Sequence, residues 1–268
     1  PTAFYSRTFN IPQDWKNGKV ILHFGGVYSG YYVWVNGKFV GYSEDSRLAA
    51  RFDITKYVKA GKNLVALQVF RWCDGSWLED QDFIRLAGIM RDVYIYATPK
   101  THIQDFQIDA TLASNYKDGI LNTTVWVDNF DKTTESALTV ELGLYDKSGK
   151  EIFTPQSKTI SSIEPDKEAS VSFQIPVDAP RLWSAESPNL YSAVISLKDA
   201  NGKTVQVESA KIGFRKVELK KDSKGITRFY VNNSPIILRG VNRHEIDPDN
   251  GRVLSTELIF NDVALMKK

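Results

Sequence analysis

Short apolar runs separated by turn residues recur about every ten residues through positions 1–217, a spacing typical of sandwiches and barrels built from short strands. Residues 31–35 and 39–42 are aromatic and β-branched, and Asn36-Gly37 lies between them. Asn and Gly both tolerate positive φ, so this pair predicts a tight hairpin. In residues 63–70, the side chains that would point to either face of a strand are largely apolar. This pattern predicts a strand in the centre of a sheet. Residues 1–98 are therefore expected to form an all-β domain without a convincing helix.

Residues 99–217 repeat this pattern, with turn signals at Lys147-Ser148-Gly149 and Asn201-Gly202. Six or seven strands in about 110 residues fit an immunoglobulin-like sandwich, although the cysteine spacing of antibody domains is missing. The candidate strands are Ile103–Leu112, Ile120–Val127, Leu138–Tyr145, Val171–Ile175, Ser192–Leu197 and Thr204–Ile212.

The pattern changes after Val217. Residues 227–231 and 235–239 are predicted to be two strands joined across Asn232-Asn233. A loop follows, and Ser255 is placed to cap an amphipathic helix that continues to Lys268. Strand, loop and helix in this order would open a longer βα architecture, and we expect the chain to be a piece of a larger protein.

Composition excludes several functional classes. Net charge is +2 with no basic stripe, which argues against a nucleic-acid partner. No apolar run approaches the ~18 residues of a membrane span. Cys73 is the only cysteine, so neither a disulfide framework nor a thiolate metal site is expected within the chain. Motifs of nucleotide or redox cofactor sites are also missing from the sequence.

The densest polar cluster is the run from Arg71 to Asp82, which contains two tryptophans and four carboxylates: Trp72, Trp77, Asp74, Glu79, Asp80 and Asp82. One interpretation is a solvated acidic loop, or a cation site that pins the loop, since hard cations such as sodium or calcium favour oxygen ligands. The other is a set of charged acceptors for sugar hydroxyls with Trp72 and Trp77 as stacking faces.

A second polar run, from Arg239 to Glu245, directly follows a predicted strand, where barrels place their active-site loops. His244 and Glu245 could form an acid–base pair. Because adjacent residues of an extended loop point apart, the sequence does not predict a catalytic pair here.

Seven ordered segments together resemble the family-2 glycoside hydrolases, and within them the large bacterial β-galactosidases. They cover nearly the whole chain, and their order is more specific than any one of them. The segments are Val35-Asn36-Gly37 with Gly41-Tyr42 and Asp45-Ser46-Arg47-Leu48; Arg71-Trp72 with Asp74-Gly75-Ser76; Leu78-Glu79-Asp80-Gln81-Asp82; Gly88-Ile89 with Arg91-Asp92-Val93; Leu182-Trp183-Ser184-Ala185-Glu186 with Pro188-Asn189-Leu190-Tyr191; Gly213-Phe214-Arg215; and Arg239 to Glu245.

The resemblance implies a mainly β chain with three parts. Residues 1–98 would be a jelly-roll sugar-binding domain and residues 99–217 an immunoglobulin-like sandwich. Residues 218–268 would be the truncated start of a (β/α)₈ catalytic barrel.

The resemblance also implies a retaining mechanism, in which two glutamates about 5–5.5 Å apart act as acid/base and nucleophile. Both glutamates and the magnesium ligands of the family would lie beyond Lys268, so the chain alone is expected to be inactive. Asp82 matches an aspartate that contacts the galactose and helps to bind sodium. His244 matches a loop position at the barrel mouth, where we take it as a further substrate-binding candidate.

Alternative functions remain open. The parent could act on β-glucuronides or β-mannosides, since Asp82 and its neighbours also fit the glucuronidases of the family. The chain could instead be a stand-alone carbohydrate-binding module, although its terminal βα unit argues against that. For a galactosidase, we expect a β-galactoside substrate, a homo-oligomeric parent, no nucleic-acid or membrane partner, and a bacterial cytoplasmic or periplasmic location.

Overall fold

The computed structural model describes residues 1–79 and 86–268. It separates into two compact units. The first contains residues 1–98 together with 241–268, and the second contains residues 99–240. No helix among the described residues has both the length and the apolar character needed to cross a membrane.

The first unit is an antiparallel β-sandwich. Its described strands are β1 (Thr2–Ile11), β2 (Lys19–Phe24), β3 (Val27–Tyr28), β4 (Gly30–Val35), β5 (Lys38–Ser43), β6 (Ala50–Asp53), β7 (Gly61–Phe70), β8 (Gly88–Ile89) and β9 (Val93–Thr98). One sheet has the order β1-β7-β4-β5, a second has the order β6-β2-β9, and β3 pairs with β8. Strand β7 is internal to its sheet, which confirms the central strand predicted from residues 63–70.

Alternating side chains of the two sheets form the core of the first unit. Val65, Leu67 and Val69 of β7 are buried together with Val33 and Val35 of β4. Each buried aliphatic side chain stabilises the fold by about 1.5–3 kcal/mol. The turn between β4 and β5 has Asn36 at φ 51° and Gly37 at φ 77°, so the predicted hairpin is confirmed.

The expectation that residues 1–98 lack a helix is wrong in two short places. A 3₁₀ helix covers Gln13–Asn17, and a single helical turn, α1, covers Gly75–Leu78. The backbone N–H of Cys73 donates to the Ser76 hydroxyl (3.0 Å), and the N–H of Glu79 donates to the Gly75 carbonyl (3.0 Å). A turn this short is held by local hydrogen bonds and has no room for an apolar period, so hydrophobic patterning cannot reveal it.

The second unit is a two-sheet sandwich. Its strands are β10 (Thr101–Leu112), β11 (Gly119–Asn129), β12 (Glu135–Tyr145), β13 (Glu151–Ile163), β14 (Lys167–Val177), β15 (Tyr191–Lys198) and β16 (Thr204–Ile212). The sheet orders are β10-β11-β14 and β13-β12-β15-β16. All six predicted strands are present. The prediction missed β13, an edge strand whose side chains are mostly exposed and therefore carry little apolar signal.

Buried side chains from both sheets fill the second sandwich. Leu121, Val140, Leu142 and Ile195 are at most 1% exposed, and Phe214 closes the same cluster from the segment after β16. A Cβ added to Gly119 would lie about 2.7 Å from the Phe214 ring, which is too close for two carbon atoms. Glycine is therefore required at this position. Phe214 of the Gly-Phe-Arg segment thus has a packing role.

A three-stranded sheet completes the second unit: β17 (Val217–Lys221), β18 (Thr227–Val231) and β19 (Ser234–Pro235). Asn232 and Asn233 form the turn with positive φ, as expected for the join. The strand predicted for 235–239 is wrong, because β19 ends at Pro235 after two residues. Proline has no N–H to donate to a ladder, and Ile237 and Leu238 beyond it are 77% and 70% exposed.

The predicted terminal helix is confirmed as α2 (Thr256–Lys267). Ser255 caps it by accepting a hydrogen bond from the N–H of Leu258 (3.1 Å). Residues 241–255 before it form a loop that packs within the first unit. Within this fully described helix no residue is buried.

Candidate functional site

Asp82, the principal candidate from the sequence, lies outside the described residues, as do Asp80 and Gln81. The described backbone is nevertheless fixed before and after it. Glu79 ends the helical turn α1, and Gly88 pairs with Tyr28 in the short β3–β8 ladder. Gly88 has φ 133°, a conformation that residues with a Cβ rarely adopt. The site is therefore built from the residues that border the segment 80–85.

Glu79 is half-buried. Its Oε1 accepts a hydrogen bond from the backbone N–H of Ser46 (3.0 Å), a residue 33 positions away and fully buried. Its Oε2 is buried and has no hydrogen-bond partner among the described residues. The hydroxyl of Ser46 is also buried and has no hydrogen-bond partner among the described residues. Glu79 is thus a tethering side chain rather than a freely solvated one.

Residues 45–48, which contain the Ser46 N–H bound by Glu79, are fixed by further hydrogen bonds. Asp45 Oδ1 accepts hydrogen bonds from the N–H groups of Arg47 (3.1 Å) and Leu48 (3.0 Å). The Arg91 guanidinium donates to the Arg47 carbonyl oxygen (3.2 Å). Glu79 and Arg91 therefore both contact the family-like segment 45–48.

Arg252 brings the loop 241–255 to the sandwich of the first unit. Its guanidinium donates to the Met90 sulfur (3.8 Å). Burial lowers the pKa of Arg252, and the charge of Arg47 lowers it further. Electrostatic interactions with Tyr28 and Glu245 raise the pKa of Arg252 and oppose these effects.

His244 lies on the same loop and is exposed. The loop is fixed by two local interactions. The guanidinium of Arg243 forms an ion pair with Asp262 of α2, in which Nε (2.9 Å) and Nη2 (2.6 Å) both donate to Oδ2. Asp247 Oδ1 accepts from the N–H groups of Asp249 (2.9 Å) and Asn250 (2.7 Å), and these bonds lower the pKa of its carboxyl. His244 is thus presented by an ordered loop, as its candidate role requires.

The two tryptophans of the acidic run are open to solvent. Trp77 is 83% exposed on α1, and Trp72 is 47% exposed with the Arg71 guanidinium 5.5 Å from its ring centroid. Asp74 is exposed and forms a small group with Glu44 and Cys73, whose ligand-type atoms lie within 4.8 Å of one another. Tyr42 donates to the Glu44 carboxylate (2.7 Å), which gives that carboxylate a partner without an ion.

A groove of about 720 Å³ lies between the two sheets of the first sandwich. The edge strands β1 and β9 border it, and Leu22, Phe24, Val65 and Leu67 are among its lining residues. Polar residues also line it, namely Arg7, Arg91, Asp92 and Tyr94. Its amphipathic lining is a second place where a sugar ring could bind.

Sequence reasoning found part of this arrangement. It singled out the acidic run and His244, and the resemblance included segments 45–48 and 91–93. It missed Tyr28 and Arg252, because an isolated tyrosine in a short strand and an arginine in an irregular loop carry no periodic or motif signal. It also gave Glu79 no more than a solvated or cation-binding role, since a carboxylate tethered to a distant backbone N–H looks like any other surface acid in sequence.

Three family models match consecutive parts of the chain. "Glycosyl hydrolases family 2, sugar binding domain" matches residues 1–99. "Glycosyl hydrolases family 2" matches residues 101–215, and "Glycosyl hydrolases family 2, TIM barrel domain" matches residues 219–268.

Curated relatives match over the whole chain. A β-galactosidase of Priestia megaterium is 45% identical over 269 residues, which is 100% of this chain and 25% of that protein. A β-galactosidase of Halalkalibacterium halodurans is 40% identical, with the same coverage of both. The chain therefore spans about a quarter of the length of the curated relatives it matches.

Solved structures also match. A Bacteroides uniformis β-glucuronidase superposes with a TM-score of 0.88 at 25% identity, covering 99% of this chain and 32% of that one. A putative β-galactosidase from Bacteroides fragilis superposes with a TM-score of 0.86 at 24% identity, covering 98% of this chain and 39% of that one, a likeness of fold alone.

Proposed function

This chain belongs to family 2 of the glycosyl hydrolases, and from that premise we propose that it forms the non-catalytic N-terminal portion of a retaining β-galactosidase that hydrolyses terminal β-D-galactosides. The predicted fold class is confirmed: a jelly roll, an immunoglobulin-like sandwich and the opening of a catalytic barrel. The observation that supports galactosidase activity most is the 45% identity to a curated β-galactosidase along the entire chain.

In this proposal, the residues of the chain bind and position the sugar while the bond-breaking carboxylates belong to later barrel strands. Asp82 accepts hydrogen bonds from galactose hydroxyls and supplies one oxygen ligand to sodium, a hard cation that oxygen ligands suit. Magnesium would be held by other parts of the barrel. His244, exposed on the loop 241–255, is the second substrate-binding residue.

A second candidate function is the hydrolysis of β-glucuronides. It is favoured by the close superposition on the B. uniformis β-glucuronidase. The test compares p-nitrophenyl β-galactoside with p-nitrophenyl β-glucuronide, using the full-length polypeptide that contains these residues. Faster hydrolysis of the galactoside supports the first proposal, and faster hydrolysis of the glucuronide replaces it with the second.

The role of Asp82 is tested with Asp82→Asn in the full-length polypeptide. A charged hydrogen bond contributes about 1.5–3 kcal/mol, so we expect kcat/KM for the galactoside to fall by about 10- to 150-fold, with a weaker response to sodium. Asp74→Asn is the matched control, since Asp74 is an exposed carboxylate of the same run. Equal effects of the two substitutions would contradict a specific role for Asp82.

We also expect the 268 residues alone to show no hydrolysis of either substrate and only weak galactose binding by calorimetry. Measurable turnover would show that the chain contains its own catalytic groups. Tight binding that Asp82→Ala leaves unchanged would favour a stand-alone binding module, with the groove between β1 and β9 as its site.

A further inference from the structure

The second unit contains a cavity of about 610 Å³ that the proposed function does not use. Residues of the edge strands β10 and β16 line it, together with residues of the segment that follows β16. All of its lining residues belong to the part of the chain that the structure describes. Pockets for small ligands commonly measure about 300–1,000 Å³, so the volume of this cavity suits a small organic molecule.

The lining of this cavity has an excess of positive charge. The charged residues that line it are Asp109, Lys211, Arg215 and Lys216. The ammonium group of Lys216 lies 3.5 Å from the Glu218 carboxylate, which offsets its charge. Lys211 donates instead to a neutral group, the Ser192 hydroxyl (2.6 Å), and an ammonium has three donors. The cavity therefore suits an anionic ligand.

Arg215 is held by its backbone and by stacking rather than by an ion pair. Its N–H donates to the Ala110 carbonyl oxygen (3.2 Å), and its guanidinium lies 4.3 Å from the centroid of the Trp183 ring. Within the described part of the chain, no group accepts a hydrogen bond from that guanidinium. Stacking uses the face of a guanidinium and leaves the N–H groups on its edge, which match a carboxylate in bidentate geometry.

The Trp183 ring is a fixed platform for this guanidinium. The backbone N–H of Trp183 donates to the Phe214 carbonyl oxygen (2.9 Å), and its carbonyl oxygen accepts from the side-chain amide of Asn232 (3.0 Å). Its side chain packs against the backbone of Gly213, where an added Cβ would lie 2.9 Å from it. Because the ring is fixed, the stacked guanidinium is preorganised and loses less conformational entropy when a ligand binds.

We propose that this cavity binds a small polyhydroxylated carboxylate, with the ligand carboxylate on Arg215 and Lys211. Asp109 and Thr111 also line the cavity and form hydrogen bonds with the ligand hydroxyl groups. This site goes beyond the proposed function. All of its residues belong to the second unit, whereas the candidate residues for galactoside binding are in the first.

Calorimetry on the 268-residue chain tests the ligand chemistry with three probes: D-gluconate, D-sorbitol and acetate. D-sorbitol replaces the carboxylate of D-gluconate by a neutral CH₂OH group, and acetate lacks the hydroxyl groups. We expect D-gluconate to bind at least about ten-fold more tightly than either of the others, and less tightly as NaCl is added. Equal binding of D-sorbitol or acetate would overturn the proposal, and so would undetectable binding of D-gluconate.

Arg215→Gln tests the location of the site. A lost charged hydrogen bond should raise the Kd for D-gluconate at least about ten-fold. Arg181→Gln is the matched control, because Arg181 is an exposed arginine of the same unit that does not line the cavity. It removes the same charge and should stay within about two-fold of wild type, since exposed charges are screened. Equal losses in both variants would contradict a specific site.

Lys211→Gln separates ligand binding from folding, because Arg215 also contributes to packing through its stacking on Trp183. Lys211 is exposed, so we expect an unchanged melting temperature together with a Kd for D-gluconate raised at least about three-fold. An unchanged Kd in Lys211→Gln would overturn the proposal, whatever the stability of Arg215→Gln.

Discussion

Asn63 shows how much one buried polar side chain can organise. It is 2% exposed, and its Oδ1 accepts from the side-chain amide of Asn36 (2.8 Å) and the N–H of Lys59 (2.9 Å). Its Nδ2 donates to the carbonyl oxygens of Lys59 (2.7 Å) and Gly61 (2.8 Å). One side chain thus joins the β4–β5 turn, the loop before β7 and the start of β7.

We expect Asn63→Ala to lower the free energy of unfolding of the first unit by about 2–3 kcal/mol, because it leaves buried donors and acceptors without partners. Urea unfolding followed by a probe in that unit measures the effect. Asn201→Ala, in an exposed turn of the second unit, is the control and should stay within about 0.5 kcal/mol of wild type. A loss below about 1 kcal/mol for Asn63→Ala would mean that water replaces the lost bonds.

At the scale of elements, the sequence predicts what periodicity and turn chemistry control. Strand β7 and the Asn36-Gly37 hairpin follow from alternation and positive φ, and the six strands predicted in the second unit follow from the same rules. Strand β13 and the turn α1 do not, since an exposed edge strand lacks an apolar face and a single turn lacks a period. The site depends on α1 and on contacts between distant segments, so its composition was predictable from residue types but its geometry was not.

The helix α2 allows a test of local structure alone. Ser255 accepts a hydrogen bond from the N–H of Leu258, and a lost N-cap costs about 1 kcal/mol. No residue of this fully described helix is buried, so tertiary packing stabilises it little and the effect of the lost cap should be visible. We expect Ser255→Ala to speed hydrogen exchange in the first turn of α2, with Ser223→Ala in an exposed turn as the control. Equal exchange in both variants would show that the cap is not formed in solution.

At the scale of the whole molecule, groups with shifted pKa values lie in both compact units. Hydrogen bonds lower the carboxyl pKa of several residues in the second unit, namely Asp118, Asp131, Asp146, Asp222 and Glu218. The first unit contains His23, which stacks on Tyr94 (4.4 Å between ring centroids) and pairs with Arg51 across β2 and β6. Burial lowers the pKa of His23 below 6.5, and the charge of Arg51 adds to this effect.

These shifts act in different pH windows. The unfolded chain protonates His23 near pH 6.5 and the folded chain only at lower pH, so the first unit loses stability as pH falls below about 6.5. One proton contributes at most about 1.4 kcal/mol per pH unit. The lowered carboxyl pKa values stabilise the second unit above about pH 4, and that stability is lost only below it. Between pH 7.5 and 5, we expect hydrogen exchange in urea to show a declining stability for the first unit. His23→Gln should remove the decline, and a slope that persists in this variant would assign it to another group.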